Sequence, residues 1–281
     1  MNARTEPEEA EPDAITRPPL LREFLLVAGL FLVYKLGRQL ATGHTADAFR
    51  NAHHVWDLER AVHLPHETAV QSALLHRDTL VHLANTYYAT VHFPATLAFL
   101  VWLYLRRPAH YVWARRVLAV VTTAALVLPF TFPLAPPRML TGTGLVDTAR
   151  VYGPSVYGPP SSDHLSNQFA AMPSLHFGWA LMVAIGLIAA TSPSVSRNPG
   201  RAAARRGIRP GLRWLWLLHP LITLLVIVGT ANHYWLDAIV ATAMLGVALA
   251  VVHPPRRMSS TAGRDTRRAA PKETVLVGAG R

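Results

Sequence analysis

Gly229-Thr230-Ala231-Asn232-His233-Tyr234-Trp235-Leu236-Asp237 stands at the junction of two apolar runs, 212–230 and 234–252. One helix through both would hold about forty residues and reach about 60 Å, roughly twice the hydrocarbon thickness of a bilayer. A tight turn at 230–233 removes the mismatch. Working outward, the apolar runs at 21–40, 79–105, 117–134 and 174–190 also have the length a helix needs to cross a membrane. None alternates with the period of two that a membrane barrel strand requires. The expected fold is all-α: a polytopic membrane protein, a bundle of six transmembrane helices over residues 21–253, with disordered termini at 1–20 and 254–281.

Composition agrees with this division. Of 281 residues, 51% are hydrophobic and 15% charged, and the charges gather in tails and loops instead of covering a surface evenly. Residues 1–20 are rich in Glu, Pro and Ala, and the C-terminal tail in Arg, Ser, Thr and Gly, so neither is expected to carry chemistry. The first run keeps Lys35 and Arg38 near its end and no cleavage pattern follows, so it reads as a retained anchor. The absence of cysteine removes disulfides, thiolate catalysis and Cys-based metal sites. With both termini cytoplasmic, twenty of the 27 Lys and Arg fall inside, in the tails and in loops at 106–116 and 197–213. The positive-inside rule favours that orientation, in the plasma membrane or another cell membrane. The net charge of +11 then reflects arginines beside anionic lipid and calls for no nucleic-acid partner. Residues 52–75 read as an amphipathic helix on the outer surface, a packing role. Asp163-His164, in a Ser/Pro/Gly-rich outer loop, reads as solvent-exposed or as part of a lid.

This topology collects Arg138, Ser174, His176, His233 and Asp237 at one extracytoplasmic level, together with Lys35 and Arg38. Ionisable groups at the mouths of apolar runs are costly and mark functional sites. His233 and Asp237 are four apart, so the carboxylate can accept one ring N–H and leave the other nitrogen as a nucleophile. Pro173-Ser174 before an apolar run reads as a helix start with Ser174 as N-cap, and such an end attracts phosphate. Arg138, behind Pro136 and Pro137, offers a fork of donors for phosphate oxygens. His176, one turn inside, can protonate a departing oxygen. The combination predicts phosphoryl transfer with no required metal or cofactor. The snorkelling reading of Lys35 and Arg38, and a purely capping reading of Ser174, stay open beside it.

These residues resemble a known family. Pro173-Ser174-Leu175-His176 is similar to the Pro-Ser-Gly-His block of the type-2 phosphatidic acid phosphatase superfamily, and His233-Tyr234-Trp235-Leu236-Asp237 to its His-x-x-x-Asp block. Phe132-Pro133-Leu134-Ala135-Pro136-Pro137-Arg138 and Asn167-Gln168-Phe169-Ala170-Ala171-Met172 resemble the inositolphosphotransferase-like branch that includes fungal inositol phosphorylceramide synthase. The resemblance implies that His233 attacks phosphorus to form a phosphohistidine and that Asp237 orients it. His176 would serve the leaving group and then activate water or a polyol acceptor, while Ser174 and Arg138 hold phosphoryl oxygens. The substrates implied are lipid phosphates or diphosphates reached from the membrane.

The chain departs from the pattern in three places. The first block, Lys-x6-Arg-Pro, is missing, since Thr131 stands seven residues before Arg138. Ile227 occupies the place of the third block's arginine, and Leu175 that of a glycine. Phosphate charge is then expected to fall to Arg138, with Lys35 and Arg38 the other cations on that side. Competing readings are a metal-dependent hydrolase using His176, His233 and Asp237, an intramembrane serine protease using Ser174, and a non-catalytic scaffold or transporter. His82 and His92 read as packing residues, His92 also as a candidate border of a lipid-tail pocket.

Overall fold

The structure is a computed structural model that describes residues 17–40, 44–154, 168–192 and 211–255. Most of both expected disordered tails, Asp163-His164 and most of the basic 197–213 loop lie outside the described residues. Among the described residues all regular structure is helical, apart from one parallel bridge between Leu134 and Ala170.

In chain order the helices are α1 (Leu20–Leu40), α2 (Thr45–Ala61), α3 (Glu67–Leu75), α4 (Asp78–Thr90), α5 (His92–Arg106), α6 (Pro108–Thr131), α7 (Thr148–Tyr152), α8 (Leu175–Thr191), α9 (Leu218–Gly229) and α10 (Trp235–Val251). Short 3-10 turns cover Pro137–Met139 and Leu212–Leu217. The turn expected at 230–233 separates α9 from α10.

Three expectations change. The 79–105 run is broken into α4 and α5, bent by 49°. Pro94 explains the break, because it has no N–H to give the Thr90 carbonyl and its ring crowds that oxygen. The 106–116 segment is not a loop: only Arg107 separates α5 from α6, Pro108 sits in the first turn of α6, and Arg115 and Arg116 are helical. The 52–75 segment is two helices, α2 and α3, parted where His63 takes a left-handed φ of 59° and Pro65 disfavours helix in the residue before it.

By length and composition, α6 and the continuous Leu212–Gly229 segment can cross a membrane, and the bent α4–α5 pair makes a third candidate. α8 and α10 are apolar but shorter. Side chains such as Val101, Val127, Leu221, Ile239 and Val247 cover the outside of the bundle, the surface of helices that are apolar all round.

Phe99, Leu103, Val117, Val121, Met182 and Leu245 form the main core between α5, α6, α8 and α10. Gly186 allows α5 and α8 to close up, since a Cβ there would lie 2.4 Å from the Phe99 ring. A second cluster joins Tyr88, Phe177, Ile227 and Ala241. A third packs Ala48, Ala52 and Val55 of α2 over Leu134, Met172 and Tyr234, covering the end of the bundle where three loops meet.

Candidate active site

Those loops, 133–139, 168–174 and 230–234, are tied together by their backbones. The Leu134 N–H donates to the Phe169 carbonyl at 2.8 Å and the Ala171 N–H to the Leu134 carbonyl at 3.2 Å. The Arg138 N–H reaches the Ala231 carbonyl at 2.9 Å, and the Ser174 N–H the Asp237 carbonyl at 3.2 Å. The 230–233 reversal relies on Ala231 at φ 53°, and the Ile227 carbonyl accepts the N–H groups of Asn232 and His233 at 3.0 and 3.1 Å. Buried backbone groups are thereby satisfied without a sheet.

His233 and Asp237 meet, although by a different route from helical spacing. His233 lies before α10, whose N-cap is Tyr234, and Asp237 is the third residue of the helix. Asp237 Oδ2 accepts the Tyr234 N–H at 3.0 Å and faces His233 Nδ1 at 3.1 Å. Nδ1 also lies 2.8 Å from the Ala171 carbonyl. Both neighbours are acceptors, so Nδ1 carries a proton and Nε2 is the nitrogen left to present a lone pair. Tyr234 locks the turn by donating its hydroxyl to the Ala135 carbonyl at 3.0 Å.

His176, in the first turn of α8, has its ring centroid 6.1 Å from that of His233. Its ring lies between Tyr88, stacked at 4.4 Å, and His92, tilted at 4.4 Å. Arg138 is fastened to the same turn as His233: one guanidinium N–H donates to Asn232 Oδ1 at 2.6 Å, and Nε lies 3.6 Å from Asp147 Oδ2. Asn232 in turn donates to Thr230 Oγ1 at 2.8 Å. Pro136 is the extended cap of the 3-10 turn Pro137–Met139, and Pro137 opens that turn, so Arg138 sits in its middle.

Ser174 is the N-cap of α8, its Oγ accepting the Phe177 N–H at 3.4 Å. It is fully buried, and its neighbours Pro173 and Leu175 line the adjacent cavity while Ser174 does not. Lys35 and Arg38 lie on α1, which packs on α6, and their side chains fall outside the described residues. Ile227 is fully buried in the apolar Tyr88–Phe177–Ala241 cluster, so its position supplies no cation. Among the described residues no group of three or more His, Asp or Glu side chains is arranged to hold a metal ion.

A cavity of about 570 Å³ opens at the two histidines. His176, His233, Met172 and Pro173 form one end; Leu100, Leu118 and Arg115 form the other. From Pro129 to Arg115, both on its wall, α6 advances about 21 Å. At the far end Arg115 pairs with Glu23 of α1, and the Tyr111 hydroxyl donates to the same carboxylate at 2.8 Å.

The sequence reading missed the roles of Asn232, Tyr88, the Ala171 carbonyl and Glu59, and placed His92 only loosely. Glu59 of α2 is fully buried and accepts the Leu236 N–H at 2.7 Å. Burial, and then the neighbouring Glu67, push its carboxyl up to about 9. An amphipathic pattern with acidic residues carries no signal for such burial.

No curated protein and no solved structure is significantly similar to the chain. Residues 53–251, which hold His176, His233, Asp237, Arg138 and Ser174, match the sequence profile of the PAP2 superfamily, and the chain belongs to that superfamily.

Proposed function

We propose that the protein is an integral-membrane lipid phosphatase or phosphotransferase that works through a phosphohistidine on His233. Superfamily membership points to phosphatase-type chemistry on a lipid phosphate. The observation that carries the mechanism is the Nδ1 contact of His233 with Asp237 and Ala171, at one end of an apolar cavity shared with His176.

In the first step Nε2 attacks phosphorus and the bond to the lipid oxygen breaks. His176, protonated, gives its proton to that oxygen. In the second step His176 takes a proton from water or a polyol, whose oxygen attacks phosphorus as the P–N bond breaks. His233 returns neutral, its developing charge matched throughout by Asp237. Arg138 neutralises phosphoryl oxygens, and Lys35 and Arg38 are further candidates for that charge. Ser174 acts through the α8 N-terminus that it caps, in preference to its hydroxyl. The cavity takes the hydrocarbon part of the substrate.

The remaining parts follow the same reading: six spans over 21–253, both termini cytoplasmic, the site extracytoplasmic, and the inositolphosphotransferase-like branch. The transferase branch is supported by the resemblance of 132–138 and 167–172. The test is to give purified protein lipid phosphates and diphosphates, with and without polyols, and compare free phosphate with phosphorylated product. Acid-labile labelling of His233 is expected; His233→Ala with full activity sinks the mechanism.

A further inference from the structure

α2 and α3 meet at a pair of carboxyls that these steps do not use. Glu59, near the end of α2, and Glu67, the first residue of α3, are both fully buried and lie within hydrogen-bonding reach of each other. Glu59 Oε1 accepts the N–H of Leu236, the second residue of α10. Arg60 pairs with Glu67, lies 3.7 Å from Glu59, and covers the Trp56 ring at 4.4 Å. Among the described residues no donor reaches two buried oxygens, Glu59 Oε2 and Glu67 Oε1. Two ionised carboxylates beside buried Asp237, with Arg60 the cation paired to them, would be a costly arrangement, and packed carboxyls relieve it by keeping one proton.

We propose that Glu59 and Glu67 share a single proton between these two oxygens, and that the neutralised pair positions the first turn of α10 and with it the His233–Asp237 contact. The catalytic part of this rests on the function proposed above. One proton satisfies both orphaned oxygens and leaves a single negative charge for Arg60. It also leaves Glu59 Oε1 to hold a helix N–H that has no partner within its own helix. Leu236 lies between His233 and Asp237 in the chain, so Glu59 acts through the backbone and is a positioning residue.

The titratable and charged groups facing the pair are Arg60 of α2, His66 at the start of α3, and Tyr234 and Asp237 at the start of α10. Glu59 is raised from 4.5 to about 9 in the folded protein. Its contribution to stability is therefore fully present below about 4.5 and is lost progressively as pH rises to about 9.

The test uses the full chain in detergent. Glu59→Gln keeps the acceptor for Leu236 and replaces the shared proton by an amide N–H that does not titrate; Glu59→Ala removes both. The expected result for Glu59→Gln is a wild-type kcat near neutral pH and a flattened fall of unfolding temperature with rising pH. For Glu59→Ala it is a kcat lower by about tenfold at unchanged KM, and faster carbethoxylation of His233 by diethyl pyrocarbonate, read by peptide mapping. Glu59→Asp, one methylene short of Leu236, gives the same readout in milder form. If unfolding of Glu59→Gln keeps the wild-type pH dependence, the shared proton is overturned. If His233 labelling in Glu59→Ala and Glu59→Asp equals wild type, the positioning is overturned. Unfolding and labelling need no turnover, so a wild-type protein inactive on every lipid phosphate counts against the proposed function alone, and the shared proton and the positioning still stand or fall on their own measurements.

Discussion

The two ends of the cavity hold buried charge in opposite ways. At the far end, the Glu23 carboxylate takes donors from Arg115 and Tyr111, so its oxygens are matched inside the protein. At the near end, Asp237 spends one oxygen on His233 and Tyr234, while Oδ1 is buried with no hydrogen-bond partner among the described residues, and His233 turns a nitrogen away from both its acceptors. A saturated pair is a staple between α1 and α6. An incompletely matched one holds the imidazole to which the proposed chemistry assigns the attack on phosphorus. Buried ions stabilise little unless fully paired, so the contrast sets a structural pair against the pair to which the proposed chemistry is assigned.

Replacing His233 breaks the comparison most severely. His233→Ala is expected to lower kcat by about 10⁴-fold or more and to abolish acid-labile phosphoenzyme, measured by rapid quench with labelled substrate. Asp237→Asn comes next: the ring loses its orienting charge, and kcat should fall by about 10²- to 10⁴-fold while secondary structure by circular dichroism is kept. At the far end the opposite pattern is expected. Arg115→Met strands Glu23 and should cost about 3 kcal/mol of stability in chemical denaturation, with kcat of the folded fraction unchanged. Adding Glu23→Gln should recover most of that loss. The smallest effect belongs between the ends, where Ala119 lines the cavity. Ala119→Phe should raise KM for long-chain lipid phosphates about tenfold, the scale of a few lost methylene contacts, and leave a short-chain soluble phosphate unaffected. Equal loss on both substrates would show that the cavity does not hold the tail.

Much of the near end is legible in the chain. Pro173-Ser174 announces the start of α8, and Ser174 is its cap. Thr230–His233 announces the reversal before α10. These signals are local, because caps, prolines and apolar lengths act on neighbouring residues. The α4–α5 bend was also written locally, in Pro94, but an uninterrupted apolar run hides it. The misplaced boundary at 106–116 has a different cause: clustered arginines read as a loop, whereas arginine is a good helix former and α6 runs straight through Arg115, whose charge is paired with Glu23 of α1.

By itself the sequence determined the helical class, the order of the blocks and the residue types available for phosphoryl chemistry, since these depend on composition and short-range spacing. Tertiary structure alone decided which of those groups meet. It buried Ser174 away from the cavity wall, set His176 against Tyr88 and His92, and placed Glu59 against the N–H of Leu236, 177 residues away in the chain. Contacts across such separations arise only when packing brings the helices together, and the burial that sets the charge of Glu59 does not exist until it has.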